Sequence, residues 1–281
     1  MAASAATVPL LAHAEPSPLT LRILSALVLA PMAVAAVWFG SPWLPILTAV
    51  AAAGMAWEWA RLCRGGRLGM TGIILILAAV AAAAAAAIAG LGPAIAVSAA
   101  GAAIVFAVAR REREDEPQWF ALGLLWIAIP CVLLLWLAQP KEIGPRTVLW
   151  MFAVVWATDI GAYIVGRRVG GPRLAPAWSP RKTWAGMIGG AGCAALAGWA
   201  TARLLGASAL PLVLISAGLA IVEQFGDLAE SVAKRRFGVK DTSGLIPGHG
   251  GLLDRLDGFL AVVPAVALLT LIGGGSVLTW R

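Results

Sequence analysis

From residue 22 to residue 277 the chain is a succession of apolar runs. Each is close to the ~20 residues a helix needs to cross the ~30 Å hydrocarbon core of a bilayer. The runs fall near 22–39, 43–62, 71–90, 93–109, 119–138, 147–166, 184–205, 209–230 and 257–277. In lipid a backbone N–H or C=O without a partner costs several kcal/mol, so runs of this length admit helices and little else. The expectation is an all-α, polytopic integral membrane protein of about nine transmembrane helices. Composition excludes the soluble classes: 60% of the 281 residues are hydrophobic and 12% are charged, whereas a soluble domain carries about 25% charged residues. Gly40-Ser41-Pro42 and Leu91-Gly92-Pro93 carry turn chemistry. Each of the two pairs of runs they divide could also be one long or re-entrant segment. The Ala-rich stretch from Ala79 to Ala87 suits a helix in close contact with its neighbours.

The basic residues then orient the chain. With nine spans, one side of the membrane holds Arg22, then Arg61, Arg64 and Arg67, then Arg110, Arg111 and Arg113. The same side holds Arg167, Arg168, Arg173, Arg181 and Lys182, then Lys234, Arg235, Arg236, Lys240 and Arg255. Of the 21 Lys and Arg residues, the other side receives Lys141, Arg146, Arg203 and Arg281 alone. Cytoplasmic loops carry the Lys/Arg excess, so the N-terminus is expected in the cytoplasm and the C-terminus across the membrane. This asymmetry also accounts for the formal charge of +7 without nucleic acid as a partner. Residues 1–21 read as a cytoplasmic tail, its His13 without a specific role, and no cleaved signal peptide is expected. Residues 22–138 form an N-terminal set of transmembrane helices. Residues 139–281 form a C-terminal catalytic region with cytoplasmic loops at 166–183 and 230–256. Cys63, Cys131 and Cys193 are isolated and read as small apolar residues, not as a disulfide or a zinc site.

Two stretches, 159–184 and 223–257, concentrate the ionisable groups that a membrane chain has no cheap reason to keep. Glu223, Asp227 and Glu230 are spaced i, i+4, i+7, which places three carboxylates on one helix face. Asp254 and Asp257 repeat the theme at i, i+3 where the last span begins, and the segment between is rich in Lys, Arg and Gly. Carboxylates for a metal, cations for phosphate oxygens and glycines for close approach together suit a Mg²⁺-bound phosphate. A solvated loop obeying the positive-inside rule explains Arg64 or Arg236 as well as function does, but it leaves Asp227 and Asp254 unexplained. His249 precedes two glycines, Gly250 and Gly251, and could be a base, a phosphate donor or a packing residue. In the first stretch Asp159 and Tyr163 share a helix face, and Tyr163 serves equally well as an interfacial anchor. Ser179 to Thr183 precede a helix, where hydroxyls and backbone N–H groups can hold an anion. GxxxxGK[ST] is absent, which argues against a P-loop ATPase.

These blocks resemble a known family. Ser231-x-x-Lys234-Arg235, Lys240-Asp241, Ile246-Pro247-x-His249-Gly250-Gly251 and Asp254-Arg255-x-Asp257 are similar to the signature of phosphatidate cytidylyltransferases, or CDP-diacylglycerol synthases. Asp159 with Gly161-Ala162-Tyr163, Ser179-Pro180-x-Lys182-Thr183 and Gly226-Asp227-Leu228-x-Glu230-Ser231 look like its other blocks. The likeness covers roughly the last 125 residues at motif level. Ala233 stands where the family has a larger apolar residue, and Ala185 where Glu or Gln often follows. The resemblance implies Mg²⁺-dependent transfer of the CMP unit of CTP to phosphatidate, with release of pyrophosphate, by a dimeric enzyme with a cavity open to the cytoplasm. It implies Asp227 and Asp254 on the metal, and Lys182, Lys234, Arg235, Lys240 and Arg255 on phosphates. Asp159, Glu230, Asp241 and Asp257 fall to supporting or nucleotide contacts, with Tyr163, Ser179, Thr183, Ser231, Gly250 and Gly251 as further substrate contacts. A bacterial inner membrane is the expected location. Two alternatives stay open: CTP-dependent transfer to another lipid phosphate or a lipid alcohol, and cation-coupled transport. Transport would spread acids along a path through the bilayer and repeat them in two halves, whereas here they gather at one edge.

Overall fold

The computed structural model describes residues 18–280, and among these the chain forms nine α-helices and one short hairpin. The helices are α1 (Pro18–Phe39), α2 (Trp43–Cys63), α3 (Gly69–Ala89), α4 (Leu91–Arg111), α5 (Pro117–Ala138) and α6 (Ile143–Val169). After strands β1 (Arg173–Ala175) and β2 (Ser179–Thr183) come α7 (Trp184–Leu205), α8 (Ala209–Arg236) and α9 (Leu253–Ile272). The all-α architecture is the one expected. Seven helices, α3 to α9, are long and apolar enough to cross a membrane. In α1 the apolar part is the shorter Ile23–Phe39, and α2 carries Glu58 and Arg61. His13 and the tail up to residue 17 lie outside the described residues.

Gly40-Ser41-Pro42 separates α1 from α2 as expected, and the second break differs in detail. α3 and α4 are separate helices packed on each other, and the turn between them is Gly90 alone, at φ +84°. Gly92 and Pro93 are therefore inside the first turn of α4, where proline has no intrahelical N–H to lose. Helices α2, α3, α4 and α5 pack together, α6, α7 and α8 form a second set, and α9 lies against both α8 and α5.

Small residues set how closely the second group packs. Gly186, Gly190, Ala194, Gly198 and Ala202 recur every fourth residue and are all buried on α7. A Cβ on Gly190 would stand 3.0 Å from the Thr158 carbonyl of α6, and one on Gly186 would stand 2.9 Å from that of Ala162. Lipid tails are as apolar as leucine, so membrane helices associate through such backbone approach and not through hydrophobic exclusion. The α8–α9 crossing uses the same device. A Cβ on Gly226 would meet Ala261 Cβ at 2.6 Å, and one on Gly258 would meet Glu223 Cγ at 2.6 Å.

Charged loops tie the helix ends together on the side where α2, α4, α6 and α8 finish. Arg64, after α2, pairs with Glu114 at 2.9 Å and Glu112 at 3.4 Å. The Thr71 hydroxyl and N–H donate to Glu112 at 2.8 and 3.1 Å, and this bonding holds the Glu112 carboxyl below its ordinary range. Arg236, at the end of α8, pairs with Glu116 in front of α5.

Candidate active site

Both expected stretches arrive at this same edge. α6 runs on to Val169, so Asp159 and Tyr163 are helical, and the segment expected as a loop over 166–183 contains the β1–β2 hairpin. β2 carries Lys182 toward α8, where its Nζ lies 2.6 Å from Asp227 Oδ2 and 3.5 Å from the Gln224 carbonyl. Asp227 Oδ1 accepts from Ser231 Oγ at 3.3 Å. One turn further along α8, Lys234 Nζ meets Asp254 Oδ1 of α9 at 2.6 Å and Glu230 Oε1 at 3.3 Å. The other Asp254 oxygen, Oδ2, accepts from the Gly251 N–H at 2.8 Å and from the Thr242 N–H and hydroxyl at 2.9 Å each. Asp254 thus has Oδ2 taken up by three donors within the protein and Oδ1 facing Lys234, while Asp227 is partly exposed.

Behind these pairs stand more carboxyls. The Asp159 and Glu223 carboxyls meet across α6 and α8, and Glu230 and Asp257 meet across α8 and α9. Asp257 Oδ1 also accepts the Gly258 N–H at 2.7 Å. Glu223 and Glu230 are buried, and among the described residues neither Glu230 oxygen accepts a hydrogen bond. Six acids therefore converge with the ammonium groups of Lys182 and Lys234 between them, and like charges so placed favour any cation that can enter.

The segment between α8 and α9 closes the site. Its turn is made by an Ile246–Gly250 bridge, with the Ile246 N–H donating to the Gly250 carbonyl at 2.8 Å and Gly250 held at φ +89°. A cavity of about 360 Å³ opens here, lined by Lys240, Asp241, Gly248, His249, Gly250 and Arg255. His249 Nδ1 lies 2.6 Å from Ser25 Oγ of α1. A second, apolar cavity of about 620 Å³ runs between α5, α8 and α9 past Trp126, Ile129 and Leu260 and reaches Glu230.

Other expected contacts are engaged locally. Arg235 donates to the Val239 carbonyl at 2.9 Å, bracing its own loop. Thr183 caps α7, its hydroxyl accepting from the Gly186 N–H at 3.0 Å. Ser179 begins β2 opposite Ala175, about 10 Å along the strand from Lys182. Tyr163 is 63% exposed and accepts from Arg167 at 2.8 Å.

Sequence reasoning missed Glu58. It is fully buried on α2, and its carboxylate accepts from Ser243 Oγ at 2.6 Å and from the Leu252 and Leu253 N–H groups at 2.7 Å each. The signal was present, since an acid inside the apolar run Trp57-Glu58-Trp59 is costly unless it is used.

The sequence has counterparts among known proteins. The profile of the Cytidylyltransferase family matches residues 20–272, nearly the whole described chain. A protein of Brucella suis biovar 1 named phosphatidate cytidylyltransferase is 38% identical over 277 residues, covering 92% of this chain and 94% of the relative. A protein of the same name from Staphylococcus epidermidis is 39% identical over 151 residues, 53% of this chain and 58% of that one. Agreement that extends through the N-terminal helices as well as the charged edge means that the chain belongs to the cytidylyltransferase family.

Proposed function

We propose that the protein transfers the CMP unit of CTP to phosphatidate, giving CDP-diacylglycerol and pyrophosphate, and so serves phospholipid synthesis. The observation that carries this reading is the meeting of Lys182 and Lys234 with Asp227 and Asp254 beside a cavity lined by Lys240, His249 and Arg255. A phosphate oxygen of phosphatidate attacks the α-phosphorus of CTP, and the bond from that phosphorus to the bridging oxygen of pyrophosphate breaks. The attacking phosphate is already ionised, so the protein's work is positioning and charge neutralisation, not proton removal. Lys182 and Lys234 sit where they neutralise phosphate oxygens, and Lys240 and Arg255 line the space for the triphosphate. The apolar cavity that reaches Glu230 suits the acyl chains and supports a lipid phosphate at the rim of the acidic cluster.

The donor set fits Mg²⁺. The converging side chains offer hard carboxylate oxygens, and the acids outnumber the lysines among them. Among the described residues no group of three or more His, Cys, Asp or Glu side chains is arranged to hold an ion. Mg²⁺ commonly takes one or two carboxylates and completes its shell with phosphate and water. Asp227 and Asp254 would hold it, and it would offset charge on the α-phosphate and the departing pyrophosphate. The relatives' bacterial sources and the Lys/Arg asymmetry support a bacterial inner membrane with this edge facing the cytoplasm. The resemblance supports a homodimer, which cross-linking in native membranes tests.

The experiment is an assay of the purified protein in detergent with CTP, phosphatidate and Mg²⁺, following pyrophosphate and CDP-lipid beside Asp227→Asn. Mg²⁺-dependent product from the wild type and none from the folded variant is expected. A folded, lipid-reconstituted wild type that makes no CDP-lipid removes phosphatidate as acceptor, and other lipid phosphates and lipid alcohols are then assayed.

A further inference from the structure

The buried carboxylate of Glu58 lies on α2, in the half of the molecule that supplies none of the groups assigned to the transfer. Among the described residues no Lys or Arg pairs with it. Its charge rests instead on the first N–H groups of α9, those of Leu252 and Leu253, and on the Ser243 hydroxyl. A helix N-terminus presents unpaired N–H groups and a partial positive charge, so it stabilises an anion there without a cation.

Glu58 and Asp254 hold the same loop from opposite sides. The Thr242 hydroxyl lies 2.9 Å from Asp254 Oδ2 and 3.4 Å from Glu58 Oε2. It has one proton to give, and the distances assign that proton to Asp254. Gly251 lies between the two carboxylates: a Cβ there would come 2.8 Å from Glu58 Oε1 and 3.0 Å from Asp254 Oδ2. The Gly251 N–H donates to Asp254, and the next two N–H groups donate to Glu58. A shift of this backbone by one bond would exchange those partners.

We propose that Glu58 is a positioning residue for the cytidylyl transfer. It touches no substrate. It locks the register of the loop over 242–252 against α9, so that Asp254 and the cavity wall from Lys240 to Arg255 keep their places. An apolar side chain could fill the same space, but two adjacent N–H groups and a hydroxyl need two acceptor oxygens at once. Glutamine supplies one and turns an NH₂ toward the remaining donors. The inference rests on the reading given under Proposed function.

The test compares Glu58→Gln, Glu58→Asp, Ser243→Ala, Thr242→Val and the Glu58→Gln/Thr242→Val double variant with the wild type. It measures kcat per folded molecule, KM for each substrate and the thermal midpoint in detergent. Glu58→Gln is expected to lose about 10–100-fold in kcat per folded molecule, the range seen when groups that orient a site's ligands are removed. Glu58→Asp should recover part of that loss, Ser243→Ala should lose less, and the double variant should fall short of the product of its singles. Wild-type kcat in folded Glu58→Gln overturns the proposal, as does a loss matched by the fall in folded fraction or simple multiplication with Thr242→Val. If Glu58→Gln does not fold, Ser243→Ala decides: wild-type kcat there overturns the proposal, and a reduced kcat at an unchanged midpoint supports it. An inactive wild type is a failure of the functional reading, and active enzyme with indifferent variants is a failure of this inference alone.

Discussion

Lys182 Nζ lies 2.6 Å from Asp227 Oδ2, a contact that fastens the hairpin after α6 to α8. Both groups are partly exposed, so an incoming phosphate can share the ammonium group. Lys182→Gln is expected to fold normally and to lose about 10²–10³-fold in kcat, the usual cost of removing one donor that stabilises developing charge. Steady-state kinetics beside a thermal melt checks this.

Asp227 and Asp254 should respond differently to the same change. Asp227→Asn touches one lysine and one serine, so it should abolish turnover and leave the melting transition nearly unmoved. Asp254→Asn breaks a buried pair with Lys234 and turns an amide into three donors aimed at Oδ2. Breaking such a pair costs about 3–5 kcal/mol, so this variant should also unfold at clearly lower temperature in detergent.

His249 shares its cavity with Lys240 and Arg255, and the acceptor phosphate needs no base. His249→Gln should therefore raise KM for CTP about 10-fold, of the order of one charge-assisted hydrogen bond. The shape of the pH–kcat profile should stay that of the wild type. A profile that loses its lower limb would make His249 a proton-transfer group.

Gly258 faces the Glu223 side chain at the α8–α9 crossing. An added methyl would stand 2.6 Å from Glu223 Cγ, so Gly258→Ala must push the two helices apart. Overpacking of this kind costs about 1–3 kcal/mol. The thermal midpoint should drop, and activity should fall further than the folded fraction, since Asp257 and Glu223 move with the helices.

Glu112 gives a pH signature remote from the chemistry. The Thr71 hydrogen bonds hold its folded-state pKa below the ordinary 4.5. The clamp it forms with Thr71 and Arg64 is then complete above that value and is lost as pH falls through the lowered one. The gap in thermal midpoint between wild type and Glu112→Gln should close as the solution is acidified below about pH 4.5.

The sequence alone determined the class of the molecule and singled out the acids that meet at its charged edge. Apolar runs of membrane-spanning length leave the backbone no choice but helices, and the acids at 223, 227, 230, 254 and 257 could not lie idle in such runs. Helical period even put Glu223, Asp227 and Glu230 on one face, because i, i+4 and i+7 are neighbours on any α-helix. What tertiary structure decided was pairing. Nothing local joins Lys182 to Asp227, or Lys234 to Asp254 in preference to Asp257. Those choices follow from how closely Gly226 and Gly258 let α8 and α9 approach, and from the strand that delivers Lys182. The hairpin at 173–183 was invisible because its few alternating residues are bounded by polar chain with no apolar face to announce a strand. Glu58 was missed for a related reason. One acid in an apolar helix says that a partner exists, and its partners are one serine hydroxyl and two backbone N–H groups nearly 200 residues away, the latter with no sequence identity to read.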